Sequence, residues 1–184
     1  MKIEIYLIIC LVSTSACSQR LDQHGADFKI EYLNEEMWQQ GHALGSKLSL
    51  DGLTDINGNV FSHDEFDDKV VAVKFWFVGC RGCKQEEEYI RQVTKHFNDQ
   101  SNVIFISISM TSENKITKYY LKNGDFGYRT ISMKRHDIEY RFKVRTSPTH
   151  WFFKNGKLVD MIIGPIYSKE AKDWMIKYLE ELQG

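Results

Sequence analysis

Residues 70–92 read "VVAVKFWFVGCRGCKQEEEYIRQ" and join two sequence patterns at a pair of cysteines. The first half is a near-continuous run of β-branched and aromatic residues, which is typical of a strand buried on both faces of a sheet. The second half places Tyr89, Ile90 and Val93 at helical spacings. Cys80 and Cys83, spaced C-x-x-C, therefore lie where the predicted strand ends and the predicted helix begins.

The start of a helix favours a reactive thiol at Cys80. Unpaired backbone N–H groups and the positive end of the helix dipole stabilise a thiolate there, and Arg81 adds a neighbouring positive charge. A thiolate at Cys80 would be the attacking group, and Cys83, one turn inside the helix, would resolve the mixed disulfide. The pattern thus predicts redox chemistry with Cys80 and Cys83 as catalytic residues.

The number and spacing of the cysteines favour redox chemistry over stabilisation or metal binding. The chain has four cysteines, and Cys80 and Cys83 are the two within the predicted domain. A disulfide that closes so short a loop removes little entropy from the unfolded chain. A structural zinc site needs a second pair of ligands, and the histidines lack metal-binding spacing: His63, His96, His136 and His150. We interpret each histidine as a surface or turn residue and expect neither a metal nor another cofactor.

Two carboxylates follow Cys83 closely enough to handle its proton. Glu86 and Glu87 lie three and four residues after it, so either can share its helix face. A carboxylate turned toward the core would have a raised pKa and could relay the proton. Alternatively, Glu86, Glu87 and Glu88 form a solvated acidic turn, which the helix dipole favours. The spacing leaves both interpretations open.

Residues 1–16 predict an export signal. An apolar run at residues 5–12, too short to span a bilayer, follows a positive charge and precedes small residues. "TSAC", residues 14–17, resembles a bacterial lipobox, which implies lipidation of Cys17 and a lipid anchor to a membrane. Ordinary cleavage that leaves Cys17 as an exposed thiol is the alternative.

The composition and the order of predicted strands, helices and turns indicate one globular domain after this signal. Hydrophobic residues make up 42% and aromatic residues 13%, and the net charge of -1 gives no reason to expect nucleic acid as a partner. Residues 17–44 are polar and predict a tether, whereas residues 45–184 predict the domain. Its elements follow the order β-α-β-α-β-(α)-β-β-α after short β-like pieces around "NG" at residues 57–58. This order implies a mixed sheet with helices on both faces.

Two segments resemble those of a known family. "FWFVGCRGCKQE", residues 75–86, resembles the active-site segment of thioredoxin-fold proteins, and "TSPT", residues 146–149, resembles their cis-proline loop. With residues 58–77 and Glu86, the match narrows to the membrane-anchored, periplasmic thiol–disulfide oxidoreductases of the TlpA/ResA type. The resemblance covers the chain from about residue 45 onward. It implies a thioredoxin-like three-layer α/β sandwich with an N-terminal β-hairpin extension.

The resemblance implies roles for the active-site residues and their partners. Cys80 would be the nucleophile, Cys83 the resolving thiol and Glu86 a buried acid–base residue. The partners would be cysteine-containing exported proteins and a membrane electron donor, on the periplasmic side of a bacterial membrane. The family favours the reductase direction, whereas the positive charge of Arg81 stabilises a thiolate and pushes toward an oxidant.

The resemblance also assigns a substrate-binding loop. Pro148 would be a cis proline that faces the disulfide, flanked by Ser147 and Thr149, and the Ser147 backbone would offer strand-like hydrogen bonds to a client. Gly79 and Ser147 depart from the family pattern, which often has a bulky residue before the first cysteine and an apolar one before the proline. A glycine at position 79 would leave the rim of Cys80 more open.

Two other activities are open to this fold. A copper-carrying chaperone would use Cys80, Cys83 and one distant histidine. A peroxiredoxin-like peroxidase would need a proline and a hydroxyl residue ahead of its cysteine, at positions that Val73 and Phe77 occupy. We expect the oxidoreductase activity over both.

Overall fold

The structure is a computed structural model that describes residues 41–184. The predicted export signal, Cys17 and most of the predicted tether lie outside the described residues. Within these residues, five strands form one mixed sheet in the order β3-β2-β1-β4-β5. The strands are β1 Val70–Trp76, β2 Val103–Ser109, β3 Arg129–Ser132, β4 Thr149–Lys154 and β5 Lys157–Ile163. β1, β2 and β3 run parallel, and β4 and β5 form an antiparallel hairpin beside β1. The predicted thioredoxin-like α/β architecture is confirmed.

Four α-helices connect or follow these strands in the described part of the chain. They are α1 Arg81–His96, α2 Glu113–Asn123, α3 Arg135–Phe142 and α4 Lys169–Gln183, preceded by a 3-10 helix, His63–Phe66. Gly124 ends α2 at a φ of 78°, and the Ser168 hydroxyl accepts the Ala171 N–H at the start of α4. In residues 41–184, no helix combines the length and apolarity that a bilayer crossing requires.

The sheet lies between two hydrophobic cores. β1 is therefore buried on both faces, as its sequence predicts. Ala72 and Trp76 face the core that α1, α2 and α4 cover. Val73 and Phe75 face the opposite core, beneath α3 and the segment before β1. Lys74 shares the face of Ala72 and Trp76, since side chains alternate along a strand. It is fully buried.

Residues 45–58 run along both outer strands of the sheet. Lys47 forms a bridge with Lys157 of β5, and the N–H of Ile56 donates to the carbonyl of Thr130 in β3 at 2.8 Å. The predicted hairpin around residues 57–58 is short: Thr54 forms a bridge with Val60, and the Phe61 N–H donates to the Leu53 carbonyl at 2.9 Å. We call residues 45–58 the edge segment.

Candidate active site

Cys80 and Cys83 form a disulfide at the start of α1, with their Cα atoms 5.2 Å apart. Cys80 is the N-cap residue, and its Sγ accepts the backbone N–H of Cys83 at 3.1 Å. The sequence therefore placed both thiols correctly relative to the helix. Cys80 is 6% exposed and Cys83 2%, so an incoming sulfur reaches Cys80 more easily.

The predicted cis-proline loop lies beside this disulfide. The Ser147–Pro148 peptide is cis, as predicted, and the carbonyl oxygen of Ser147 lies 3.6 Å from Cys80 Sγ. Thr149 is almost fully buried, and its hydroxyl donates to the carbonyl of Thr146 at 2.9 Å. The structure thus brings Ser147 and Pro148 to the disulfide, whereas the Thr149 side chain holds the loop from within.

Gly82, between the two cysteines, packs against the same loop. A Cβ added to Gly82 would lie 3.0 Å from Pro148 Cδ and 3.6 Å from Pro165 Cγ. A side chain at this position would therefore push the first turn of α1 away from the cis proline. At Gly79, by contrast, a Cβ would meet nothing within 4 Å, but the backbone has a φ of +99° that favours glycine. The expectation of an open rim at position 79 agrees with this free space.

Glu86 lies on the buried side of α1, one turn beyond Cys83, and is fully enclosed. Its Oε1 is 2.9 Å from the ammonium of Lys74. Its Oε2 is 3.0 Å from Nε2 of His150 and accepts the backbone N–H of Ile166 at 2.9 Å. Lys74 and His150 are directly paired across β1 and β4, so both side chains point toward α1.

The net effect of these contacts is to lower the pKa of Glu86. Burial would raise the pKa, but the electrostatic attraction of His150 and Lys74, together with the hydrogen bonds from His150 and Ile166, outweighs it. The prediction of a raised pKa for a core-facing carboxylate here is therefore wrong. The reason is that the sheet supplies cationic partners that the helix sequence does not contain.

The acidic run after Cys83 divides into three environments. Glu86 is buried against the sheet, whereas Glu87 is buried beneath α2, where the Tyr119 hydroxyl donates to its carboxylate. Lys84 adds an ion pair to Glu87 at 2.6 Å. Burial and this hydrogen bond raise the pKa of Tyr119. Of the three carboxylates, only Glu88 is solvated, so the interpretation as a solvated acidic turn applies to it alone.

The structure corrects the interpretation of His150 as a surface or turn residue. His150 is buried in β4, where the sheet, α1 and Glu86 enclose it. His96 and His136 are exposed, as predicted. Among residues 41–184, no group of three or more histidine, cysteine or acidic side chains is arranged to hold a metal ion.

Comparison with known proteins agrees with this geometry. Residues 45–161, more than half of the chain, match the AhpC/TSA family. The chain is 23% identical over 131 residues to the thiol-disulfide oxidoreductase ResA of Bacillus thuringiensis, which covers 71% of this chain and 73% of that protein. The ResA of Bacillus cereus gives the same values.

Solved structures of several bacterial proteins share the fold. The thioredoxin domain of a thiol-disulfide oxidoreductase from Bacteroides vulgatus matches with a TM-score of 0.58 and 21% identity, over 75% of this chain and 99% of that one. The exposed lipoprotein thioredoxin of Streptococcus pneumoniae matches with a TM-score of 0.56 and 21% identity, over 70% and 96%. The chain therefore belongs to the AhpC/TSA family, as a ResA-like member with the thioredoxin fold.

Proposed function

We propose that the protein is an exported thiol–disulfide oxidoreductase that reduces disulfides in other exported proteins. The observation that carries this proposal is the Cys80–Cys83 pair at a helix N-terminus, with the cis Pro148 beside it and Glu86 buried one turn beyond. Helix N-termini stabilise thiolates, and the Cys83 N–H already points at Cys80 Sγ. The related ResA proteins are named thiol-disulfide oxidoreductases.

The reaction takes two electrons from the reduced cysteine pair. The Cys80 thiolate attacks a client disulfide, which forms a mixed disulfide and releases one client thiolate. Cys83 then gives up its proton and attacks Cys80 Sγ, which breaks the mixed disulfide and releases the second client thiolate. The enzyme ends with the Cys80–Cys83 disulfide and the client with two thiols. A dithiol donor at the membrane returns the enzyme to its reduced form.

Glu86 accepts the proton of Cys83 in this scheme. A general base must be ionised before it acts, and the lowered pKa keeps Glu86 in that form at neutral pH. An ionised base favours attack by Cys83 on the mixed disulfide. The direction of electron flow is set by the redox potentials of the Cys80–Cys83 pair and its partners, because a base assists the same step in both directions.

The client chain binds beside Ser147 and Pro148. Ser147 is half-buried, and its backbone offers strand-like hydrogen bonds to an extended client segment next to Cys80. Thr149 contributes through the loop that it holds in place. The open rim at Gly79 admits bulky residues near the client cysteine.

A lipid anchor would hold the enzyme at the periplasmic side of a membrane. The support for this part of the proposal is the signal-like composition of residues 1–16 and the lipobox-like "TSAC" that ends in Cys17. The structural neighbour from Streptococcus pneumoniae is itself an exposed lipoprotein.

Insulin reduction and a redox titration test the activity and its direction. We expect catalysed reduction of insulin with dithiothreitol as the donor. A midpoint potential of about -120 mV, typical of a strong oxidant, would contradict the reductase direction. Tight stoichiometric binding of Cu(I) or rapid consumption of a hydroperoxide would favour the copper chaperone or the peroxidase instead.

Gly82→Val is expected to slow client reduction about 10²-fold, because a displacement of roughly 1 Å between catalytic groups costs that much. The valine Cβ would displace Pro148 from the first turn of α1. The measurement is the insulin reduction rate, alongside thermal unfolding to show that the variant is folded.

Gly156→Ala, in the turn between β4 and β5, is the control for this substitution. Its Cβ meets nothing, but the left-handed backbone costs about 1 kcal/mol of stability. We therefore expect a lower melting temperature and an almost unchanged rate. An unchanged rate for Gly82→Val would show that the contact with Pro148 does not position the site.

A further inference from the structure

The proposed reaction leaves one buried charge without a role, the ammonium of Lys74. The side chain is fully buried in the middle of β1, where water cannot solvate it. Its Nζ lies 4.3 Å from the ring centre of Phe126, and within residues 41–184 its ion pair is with Glu86. The ammonium forms no hydrogen bond in that part of the chain, so charge attraction to Glu86 and the ring holds it.

His150 contacts the other oxygen of the same carboxylate. Its Nε2 is 3.0 Å from Oε2, opposite the Lys74 contact at Oε1. Its Nδ1 is buried and has no hydrogen-bond partner among the described residues. The cross-strand pairing of Lys74 with His150 fixes the spacing of the two groups, because it is set by the register of β1 and β4.

We propose that Lys74 and His150 are positioning residues that keep Glu86 ionised, so that Cys83 meets a base across the neutral pH range. This inference rests on the proposed role of Glu86 in proton transfer and deepens it. The Lys74 ammonium of β1, the His150 ring of β4 and the backbone N–H of Ile166 surround the carboxylate. Two of them are side chains that carry or can carry positive charge. Neither Lys74 nor His150 needs to touch a cysteine for this effect.

The protonation state of Glu86 depends on the groups that face it from several elements. Lys74 faces it from β1, His150 from β4 and the backbone N–H of Ile166 from the segment before α4. The buried hydroxyl of Tyr128, just before β3, has no hydrogen-bond partner among the described residues. Burial and then the charge of Glu86 raise the pKa of Tyr128, so this hydroxyl stays neutral. Removing Lys74 would take away one of the groups that oppose the effect of burial, so we expect Glu86 to take up a proton more readily.

Lys74→Met tests the proposal through the decay of the mixed disulfide between enzyme and client. The variant-to-wild-type ratio of decay rates is measured across pH. We expect the mixed disulfide of Lys74→Met to decay about tenfold more slowly than that of the wild type at about pH 6. At about pH 8.5 the difference should be less than about twofold, because only the ionised carboxylate is a base. General structural damage would lower the rate by a similar factor at every pH. Lys118→Met, which removes an exposed lysine of α2, is the matched control. Its mixed disulfide should decay at the wild-type rate at every pH.

Infrared spectra of the oxidised proteins give a readout that does not depend on activity. Lys74→Met should show the C=O band of a protonated carboxyl at neutral pH, which the wild type lacks and which disappears in Lys74→Met/Glu86→Gln. His150→Leu should show the same band, whereas His150→Gln, which keeps a donor toward Oε2, should show less of it.

The outcomes separate this inference from the proposed function. The inference is overturned if the ratio of decay rates between Lys74→Met and the wild type does not change with pH and the variant shows no carboxyl band. The insulin reduction activity of the wild type is unaffected by that result. Absence of that activity overturns the proposed function, while the infrared spectra still decide the charge of Glu86. If Lys74→Met does not fold, a carboxyl band in the wild type that Glu86→Gln removes overturns the inference.

Discussion

Cys80→Ser is expected to lose client reduction completely, down to the uncatalysed rate, whereas Cys83→Ser is expected to accumulate a covalent complex with its client. The reason is the order of attack. Cys80 caps the helix, receives the Cys83 N–H and is the more exposed sulfur. Without Cys80 no mixed disulfide forms, and without Cys83 the mixed disulfide cannot be resolved.

Insulin reduction measures the loss, and mass spectrometry under non-reducing conditions identifies the covalent complex. Cys17→Ser in the purified protein is the control, and it should leave both readouts unchanged. A client attached to Cys83 in the Cys80→Ser protein would contradict the assignment, because it would make Cys83 the attacking thiol.

Glu86→Leu is expected to destabilise the protein by about 3–5 kcal/mol, the usual cost of removing one partner from a buried ion pair. The substitution leaves the Lys74 ammonium enclosed with the Phe126 ring and without its carboxylate. The double variant Lys74→Met/Glu86→Leu should recover most of this loss, since apolar groups of similar volume can replace a buried pair. Urea unfolding of both variants and the wild type measures the free energies.

The same carboxylate should contribute to acid denaturation. The pKa of Glu86 is lowered in the folded state from its ordinary value of 4.5, so its contribution to stability is present above that value. The contribution is lost as pH falls through the lower, folded value. The free energy of unfolding of Glu86→Gln, measured with urea, should therefore fall less steeply with decreasing pH than that of the wild type.

A loss of stability below about 1 kcal/mol for Glu86→Leu would contradict the stability prediction, because it would mean that Lys74 readily deprotonates or reaches water.

The sequence predicted the elements of the site whose determinants are local. A β-rich run, a C-x-x-C and a helical periodicity locate Cys80 as the N-cap because all three lie within one short stretch. The cis Pro148 could be predicted only through the family resemblance. The partners of Glu86 could not be predicted, because Lys74 and His150 reach it through strand register and helix packing, which no local pattern encodes.

One signal for these partners was nevertheless present in the sequence. Lys74 interrupts a run that otherwise predicts burial on both faces, and a lysine in such a strand requires a buried counter-charge. Glu86, on the inner face of the next helix, is the natural candidate for that charge. His150 carries no comparable signal, since a single histidine in a strand is compatible with many environments.

The hairpin predicted around residues 57–58 shows how a local turn can serve a different tertiary role. The Asp55 carboxylate accepts the backbone N–H groups of Asn57 and Asn59, so the turn is stabilised internally. The Ile56 N–H then donates to Thr130 of β3, while the two flanks of the turn remain joined by the bond from the Phe61 N–H to the Leu53 carbonyl. Arg129 of β3 also contacts Asp55, at 3.3 Å, and this ties the turn to the sheet.

The edge segment has a consequence for how the molecule can meet other chains. Lateral strands with free backbone groups invite self-association and fibril-like stacking. By bonding to β5 through Lys47 and to β3 through Ile56, the edge segment shortens the free stretch on each flank. Intermolecular β-pairing along the flanks is thereby disfavoured, and under the proposed function this leaves the Ser147 backbone, beside Cys80, for an extended client segment.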